Sequence, residues 1–471
     1  DWANRYQTHP AYQHYILEPL EMKRQELEAV QEPSPKEMVP TRAPKVRRQV
    51  SSLRQFLILS SRNLKILTRD RVSLILMLGA APLVSLLDVL IASLVGRNQF
   101  DFVEGSFEDI LMGFFLIIIF AVFVGGLSQM REIVKENQIY KRERLVNLKI
   151  APYVFSKVWI AVLLALYQAA AYTIIHYLAY EMPGGSLEFL LMYVSMVLVA
   201  MAGMMLGLFT SAISPNANTA PMIVIVLLMP QIVLSGSLVP LPGPISAPAS
   251  TRWAFEGLVS ISGVGSDVAS DLCWELPEEL REVMSIEDKT TQCRCMGLNL
   301  LREEVCSFPG VGEFYDPAIE EPAPEEPSAL RDKPPDPEIP PAPEKPEDES
   351  DSVAMAEYFE AMEVYQDDVT AIQDGYKAEM EAYEAEAELY RAEMEAYLEE
   401  NLEWEITREA AVNPAEGLIG SINEDYGWTF VDKNDTQAFW SKILTTWSAQ
   451  VVIIVILLMA VLFMMKRKDA I

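Results

Sequence analysis

Several features of soluble enzymes and nucleic-acid-binding proteins are missing from this sequence of 471 residues. Basic residues are scarce, with 37 Lys and Arg against 67 Asp and Glu, so we expect no nucleic-acid partner. The sequence contains no phosphate loop of the form G-x-x-x-x-G-K-[ST], no dinucleotide-binding glycine motif and no paired metal-ligand spacing. We therefore expect no catalytic residue, bound cofactor or metal in this chain.

A recognisable signal peptide is also missing. The first residues, DWANRYQTHPAYQHYI, contain no basic segment followed by an apolar core. Insertion into a membrane would then depend on the first apolar helix.

The acidic charge is concentrated in one block. Residues 316–409 contain 31 acidic and six basic side chains, and so account for −25 of the formal net charge of −30. The chain is nevertheless 51% hydrophobic, so its apolar and acidic residues are segregated along the sequence. The acidic composition describes one appendage of an otherwise nearly neutral, apolar chain.

Six apolar stretches are each long enough to cross a bilayer as a helix, which takes about 20 residues. They lie at residues 72–95, 110–130, 154–179, 187–213, 219–239 and 447–465. The segment 131–157 contains seven Lys and Arg, and residues 466–468 are also basic. Basic loops stay in the cytoplasm, so the sequence predicts an all-α plasma-membrane protein with cytoplasmic termini and a mainly extracytoplasmic stretch at 240–446.

Two segments before the first span have other roles. Prolines between residues 32 and 48 predict a linker. In residues 51–71, apolar residues recur at helical spacing against Arg54, Arg62, Lys65 and Arg69, which indicates an amphipathic helix on the membrane surface.

The basic segment 131–157 carries a resemblance to a known family. Glu136, the run Lys141-Arg142-Glu143-Arg144, Pro152-Tyr153 and Ser156-Lys157 resemble the elbow between the second and third membrane helices of ABCG-like ABC transporters, with Asn147 where glycine is usual. In that family the elbow contacts the ATPase domain and relays ATP-driven closure. The resemblance implies coupling residues: Glu136, Lys141, Arg142, Glu143, Arg144, Tyr153 and Lys157.

The same resemblance implies the partners of the chain. Residues 1–50 begin like the segment that follows the ATPase domain in bacterial half-transporters. The chain would be a permease half with its ATPase domain fused upstream or in a separate chain, would work as a dimer in contact with membrane lipid, and would leave ATP and Mg to the ATPase domain.

Two further segments are similar to parts of this family. Pro230 interrupts the fifth span, and the resemblance implies that Val233, Leu234 and Gly236 after it form an apolar valve in the pore. Residues 250–258, STRWAFEGL, resemble a re-entrant segment of the outer leaflet. Within it Arg252 and Glu256 are four residues apart and could pair on one helix face.

A few polar residues lie inside the apolar stretches: Asp88, Gln168, His176 and Gln231. Ionisable groups in a membrane indicate a substrate or proton path. The alternative for Asp88 and His176 is that both lie near enough to the outer interface to be hydrated.

The chain has four cysteines, and all of them fall in the outer stretch: Cys273, Cys293, Cys295 and Cys306. An even number in an oxidising compartment predicts two disulfides. Cys293 and Cys295 are too close to pair comfortably with each other, so each would take one of the outer two. A zinc site built from all four thiolates is the alternative.

The acidic block has two parts. Residues 309–352 are rich in Pro and Glu and predict an extended or disordered tether. Beyond it Tyr376, Tyr383, Tyr390 and Tyr397 recur every seven residues, with alternating steps of four and three between seam positions. This indicates either one long helix or a hairpin that turns at Asp374-Gly375. Its seam would join two protomers, capture an outer partner, or dock on its own domain.

The predicted boundaries follow from these features. They are a cytoplasmic segment and linker at 1–50, an amphipathic helix at 51–71, membrane helices at 72–239 with the elbow at 131–157, a re-entrant segment at 240–262, a cysteine-containing region at 263–308, a tether at 309–352, an acidic heptad region at 353–411, a return segment at 412–446, a sixth span at 447–465 and a tail at 466–471.

These features together predict the permease half of an ATP-driven exporter of a lipophilic or amphipathic substrate. Two alternatives are a mechanotransducer that acts on an extracytoplasmic partner through the outer helices, and a membrane scaffold that transports nothing.

Overall fold

The computed structural model describes residues 2–29, 50–96, 98–241, 243–347 and 351–469. The predicted linker at 32–48 lies outside the described residues. The chain divides into two compact units, residues 1–50 and 51–471. The described residues of the first unit form short helices at Trp2–Gln7 and Pro10–Tyr12, a π-helical turn at Gln13–Leu17, and helix α1 at Glu18–Ala29.

The second unit begins with the predicted amphipathic helix, α2, at Ser52–Arg69. Ser51 caps its start, with its side chain accepting a hydrogen bond from the Arg54 N–H. Asp70 then ends α2 and caps the next helix, because its carboxylate accepts bonds from the N–H and the hydroxyl of Ser73. These two bonds hold the pKa of Asp70 below its usual value.

In the part of the chain that the structure describes, five helices are long and apolar enough to cross a membrane. They are α3 at Arg71–Val95, α4 at Phe107–Gln129, α6 at Ile150–Ala179, α7 at Ser186–Ile213 and α11 at Thr436–Asp469; the short helix α5, Asn137–Arg144, lies between α4 and α6. Among the described residues the structure has helices and no strand. The prediction of an all-α membrane protein is therefore confirmed.

The predicted fifth span at 219–239 is wrong at its far end. Helix α8 covers only Ala220–Val233, 14 residues or about 21 Å, which is shorter than a bilayer core. Pro230 lies inside this helix, and the chain turns at Gly236, whose φ of +80° lies in the left-handed region.

Helix α7 packs closely against α4 through glycine. A Cβ on Gly203 would lie 2.5 Å from the carbonyl oxygen of Val122, and one on Gly207 would lie 2.3 Å from that of Gly126. The backbones can approach this closely only because these positions have no side chain.

Helix α3 packs against α6 and contains Pro82. Proline removes a backbone donor, which leaves the carbonyl of Leu78 without its helical partner. The Tyr167 hydroxyl on α6 donates to that oxygen at 3.0 Å. A side chain of the neighbouring helix thus compensates for the proline.

The region after α8 contains helix α9 at Ser250–Ser262, which is buried almost all round. The shorter elements that follow are Ser266–Ser270, Leu272–Glu275, Glu278–Val283, Ile286–Gln292, Gly297–Leu301, Val311–Phe314 and Pro317–Glu320, with Gly243–Ser246 before α9. The Gly310 and Gly312 N–H groups donate to the carbonyls of Asp101 and Phe102. This region is thereby attached to the loop between α3 and α4.

The acidic heptad region forms one helix, α10, at Ser352–Tyr426. The hairpin alternative is wrong, since the helix passes through Asp374 and Gly375 without a turn. At 1.5 Å per residue its 75 residues span about 110 Å. The predicted return segment at 412–446 is also wrong, because α10 continues to Tyr426 and α11 begins at Thr436 rather than at residue 447.

The tether is ordered along this helix. Residues 321–347, here called the strap, have no regular secondary structure but run antiparallel to α10. Three contacts set the register. The Trp404 indole donates to the Glu321 carbonyl at 2.9 Å, Arg331 lies 2.8 Å from Glu386, and Tyr376 donates to Asp336 at 3.1 Å.

The strap turns one face towards α10. Its covered residues recur at steps of about three, as in a polyproline II helix. They are Pro324, Pro327, Leu330, Pro334, Pro337, Pro343 and Pro346. From Tyr358 to Trp404 the covered residues of α10 are those of the heptad seam. We call α10 residues 352–405 together with the strap the stalk, and we call residues 406–429, which end α10 and form the turn after it, the base of the stalk.

Candidate functional site

The elbow is built from the end of α4, a turn of 3-10 helix at Val134–Glu136, and α5. Its start is attached to the end of α7, because the Ile133 and Val134 N–H groups both donate to Ser211 Oγ at 2.9 Å. The side chains of the elbow then face α2 and α6, where they form a network of charges.

The centre of this network is Lys157 on α6, whose side chain is only 3% exposed. Its Nζ lies 2.8 Å from Glu136 and 3.5 Å from Glu132. The hydroxyl of Tyr153, one turn earlier on α6, donates to Glu136 at 3.3 Å. A buried cation is tolerated only when paired, and removing its partner costs about 3–5 kcal/mol.

Helix α2 is bound to the same network. Arg62 Nη1 lies 2.6 Å from Glu143, and Arg62 Nη2 lies 3.9 Å from Glu136. Next to it the Asn63 amide donates to Ser156 Oγ at 3.0 Å, and Lys157 donates to Asn63 at 3.4 Å. The amphipathic helix, the elbow and α6 are therefore joined by charged and polar contacts.

A second link joins the elbow to the end of α11. Arg144 Nη2 lies 2.8 Å from Asp469, and the Tyr140 hydroxyl donates to the same carboxylate at 3.0 Å. Arg144 also donates to the Leu148 carbonyl. A displacement of the elbow would thus be transmitted to α11 as well as to α2 and α6.

The tip of the elbow projects from the fold. Leu145 is 88% exposed and Val146 is 75% exposed, although both are apolar. The chain reverses at Asn147, whose φ of +84° lies in the left-handed region that favours glycine and asparagine. Gln55 on α2 secures the turn, donating to the Asn147 carbonyl and accepting from the Lys149 N–H, both at 3.1 Å.

The predicted coupling residues divide into two groups. Glu136, Glu143, Arg144, Tyr153 and Lys157 make internal contacts, whereas Lys141 and Arg142 are exposed beside the apolar tip. Several partners in these contacts are not marked by any local pattern, and all of them except Glu132 lie far away along the chain. These partners are Arg62, Asn63, Glu132, Ser211 and Asp469.

The predicted valve residues lie where α8 ends. Val233 is 59% exposed, and Gly236 occupies the turn after it. The base of the stalk helix and its following turn contact this segment: the Tyr426 hydroxyl donates to the Ser237 carbonyl at 3.0 Å, and a Cβ on Gly236 would lie 3.2 Å from the Trp428 ring. Burial and the nearby carboxylates of Asp425 and Glu108 raise the pKa of Tyr426.

The predicted helix pair belongs to a larger cluster. Arg252 Nη1 lies 3.3 Å from Glu256, and Glu256 also accepts from Lys442 on α11 at 2.6 Å. The Arg252 guanidinium lies over the rings of Trp253 and Trp428, 4.2 and 4.8 Å from their centroids. These contacts join α9, α11 and the turn after α10, as expected of a structural role.

The cysteines form two pairs, Cys273 with Cys293 and Cys295 with Cys306, with Cα atoms 5.8 and 5.2 Å apart. This is one of the pairings that the sequence left open. Every cysteine sulfur is used in it, which leaves no thiolate for the zinc alternative.

Of the polar residues in the apolar stretches, Asp88, Gln168 and His176 are buried and Gln231 is half-buried. Asp88 on α3 lies 3.6 Å from His176 on α6, and each side chain is 1% exposed. The two side chains are therefore surrounded by protein and are not hydrated at an interface. Gln231 has a structural partner, since its side-chain oxygen accepts from the N–H and hydroxyl of Ser250 at the start of α9.

Part of the chain matches a known protein family. Residues 54–255 match the family described as ABC-2 type transporter. They contain α2, the elbow and the membrane helices up to α9. This segment is therefore similar to the membrane domain of ABC-2 type transporters, and the described part of the chain is all-α. Such a domain is the permease and not the ATPase, and its family implies an ABC ATPase partner and typically a dimer.

One relative is a larger protein. The chain is similar to the ABC transporter ATP-binding/permease protein Rv1747 of Mycobacterium tuberculosis, with 28% identity over 221 residues. The matched segment is 44% of this chain and 25% of that protein, so the chain aligns with only a quarter of its relative.

Proposed function

We propose that this chain is the permease half of an ATP-driven exporter that moves a lipophilic or amphipathic substrate out of the cytoplasm or the inner leaflet. It works as a dimer with ABC ATPase domains, which bind ATP and Mg. The elbow side faces the cytoplasm, with both termini, and the stalk lies outside. The apolar elbow tip carries the proposal, since Leu145 and Val146 project between exposed cations without covering partners among the described residues.

The contact with the ATPase explains the two halves of the elbow. Leu145 and Val146 dock in the ATPase domain with Lys141 and Arg142 beside them. The displacement then passes through Arg144 to Asp469 and through Arg62, Glu136 and Lys157 to α2 and α6. Exposed apolar side chains at a fixed, charge-supported turn are typical of a docking surface rather than of free protein surface.

The substrate path is supported by an uncovered apolar face of α8. Met222, Val226, Met229 and Val233 recur along one side of this helix, and all are at least 47% exposed. Met112 on α4 is 46% exposed, although it lies among buried neighbours. In a dimer such faces would enclose a central cavity that is closed on the outer side by Val233, Leu234 and Gly236.

The test compares two equally exposed apolar residues, Leu145 and Val283. The chain and its ATPase are reconstituted in lipid vesicles, and ATP hydrolysis and movement of fluorescent phospholipids are measured. We expect Leu145→Asp to lower both coupled activities about tenfold, because a carboxylate cannot occupy an apolar docking pocket. Val283→Asp in the outer region should stay within about twofold of the native protein.

Equal activity of the two variants would contradict the proposal. If Leu145→Asp and Val283→Asp hydrolyse ATP and move lipid equally well, the elbow tip does not dock on the ATPase. If hydrolysis responds to Leu145→Asp while the native protein moves no phospholipid, coupling stands and the lipidic substrate class is wrong.

A second function, a mechanotransducer acting on an outer partner, is favoured by one observation. The valve segment is held directly by the base of the stalk, through Tyr426 on Ser237 and Trp428 on Gly236. A movement that opens the valve would therefore move a stalk about 80 Å long.

A further inference from the structure

A cavity of about 410 Å³ opens beside the elbow, and none of its lining residues belongs to α8. It lies among α2, α3, the end of α4 and the start of α6. One wall is apolar and includes Ile66, Leu76 and Leu127, which are 45, 67 and 40% exposed. The floor is the charge network of Lys157, Glu136 and Glu132. The cavity is therefore amphipathic, with a charged end and an apolar side.

Most charges of this cavity are already paired. Lys157 lies against Glu136 and Glu132, and Lys135 is paired with Glu132. Two opposite charges remain. Arg131 is exposed at the lining and makes no ion pair with any described residue. Asp70 is also exposed and accepts hydrogen bonds only from Ser73 among the described residues. The charge of nearby Lys135 contributes to the lowered pKa of Asp70.

We propose that this cavity binds the headgroup of a phospholipid that carries a primary amine. The phosphate lies on the Arg131 guanidinium and the ammonium on the Asp70 carboxylate, while an acyl chain follows Leu76 and Leu127. A zwitterion satisfies both charges at once. A choline headgroup has no N–H to donate to Asp70, and a glycerol headgroup has no cation for it. The apolar wall makes a lipid, rather than a free phosphate compound, the occupant.

This site goes beyond the proposed export function, because it shares no lining residue with the proposed substrate path and can be filled whether or not anything is transported. The position of the cavity also links the bound lipid to the coupling contacts of the elbow. The headgroup would lie directly on the Lys157 and Glu136 pair, so the lipid would help to hold α2 and the elbow together.

Photo-crosslinking of the full chain tests the proposal. The protein is placed in vesicles with equal fractions of diazirine-tailed phosphatidylethanolamine, phosphatidylcholine or phosphatidylglycerol, and crosslinked peptides are identified by mass spectrometry. We expect phosphatidylethanolamine to label the peptides that contain Leu76 and Leu127 about threefold more than either other lipid, a contrast typical of exposed charge contacts.

Two variants and a control assign the contacts. Arg131→Gln and Asp70→Asn should each remove the preference, and asparagine can still cap α3 through Ser73. Arg69→Gln removes a cation from the same surface without altering the lining of the cavity, and it should keep the preference.

Three results would overturn the proposal. Equal labelling by all three lipids would mean that the headgroup is not recognised, and stronger labelling by phosphatidylglycerol would mean that only the cations matter. A loss of preference in Arg69→Gln equal to that in Arg131→Gln would assign it to general surface charge. Because no ATP is needed, none of these outcomes depends on the export function.

Discussion

At the scale of single residues, the elbow depends on one backbone angle. Asn147 has a φ of +84°, where L-residues other than asparagine and glycine are strained. The turn it makes places Leu145 and Val146 at the tip and lets Gln55 of α2 bind the backbone on both sides. The residue that differs from the related elbows is thus the best available substitute for glycine.

We expect Asn147→Ala to destabilise the chain by about 1 kcal/mol, because alanine enters the left-handed region only with strain. Asn147→Gly should unfold at or slightly above the native temperature. Thermal unfolding of the purified protein in detergent measures this order. Asn218→Ala provides the control, since Asn218 is an exposed turn residue without a positive φ. Equal unfolding of Asn147→Ala and Asn218→Ala would show that the turn stores no strain.

At the scale of elements, the stalk joins two different periodicities. The helix presents a seam every 3.5 residues, and the strap presents a proline face about every three. Ten strap residues between Glu321 and Arg331 span about 31 Å as polyproline II, and the 18 helix residues between Glu386 and Trp404 span about 27 Å. Because the two lengths nearly match, a single chain can cover its own aromatic seam.

The seam can be tested by proteolysis of the strap. We expect Tyr390→Ser to speed trypsin cleavage after Arg331 by about tenfold, because the ring that covers the prolines is lost. Leu389→Ser changes the neighbouring residue, which is 60% exposed and outside the seam, and should leave the rate within about twofold. Identical cleavage of the two variants and the native protein would mean that the seam does not hold the strap.

Local pattern was enough to predict the positions of the seam but not what covers it. Tyr376, Tyr383, Tyr390 and Tyr397 are all partly covered, as the heptads predict. The cover is a proline segment, which the sequence analysis treated as a tether because it cannot form a core alone. Pairing between two elements depends on matched rise and on contacts such as Trp404 with Glu321, which no local pattern contains.

The same limit applies at the membrane and at the elbow. Hydropathy placed most spans well, but a run of apolar residues does not show where a helix ends, so α8 is shorter than its apolar stretch. Glu136 and Lys157 could be selected from the elbow pattern. Arg62 and Asp469 could not, because they meet the elbow only after α2 and α11 have packed.

At the scale of the whole molecule, the two proposed functions differ in what they require of the stalk. An exporter needs only its base, where Tyr426 and Trp428 hold the segment after α8. A mechanotransducer needs its length as well, because the work is delivered at a distance from the membrane. A shortened stalk with an intact base therefore separates the two functions.

The periodicities define how to shorten it. Removing helix residues 376–396 takes out three heptads, about 31 Å, and brings Tyr397 into the place of Tyr376. Removing strap residues 325–334 takes out about 31 Å of polyproline II and leaves Pro324 and Pro337 three residues apart. Both periodicities continue across the junctions, and the base of the stalk is unchanged.

We expect this matched deletion to leave ATP hydrolysis and phospholipid movement within about twofold of the native protein, because no contact at the valve is lost. Trp428→Ala, which removes the ring against Gly236 and over Arg252, should change lipid movement several-fold at full stalk length. The opposite pattern would assign the function to the length of the stalk. If the native protein moves no phospholipid, and the matched deletion lowers its ATP hydrolysis while Trp428→Ala leaves hydrolysis intact, the mechanotransducer is the better account.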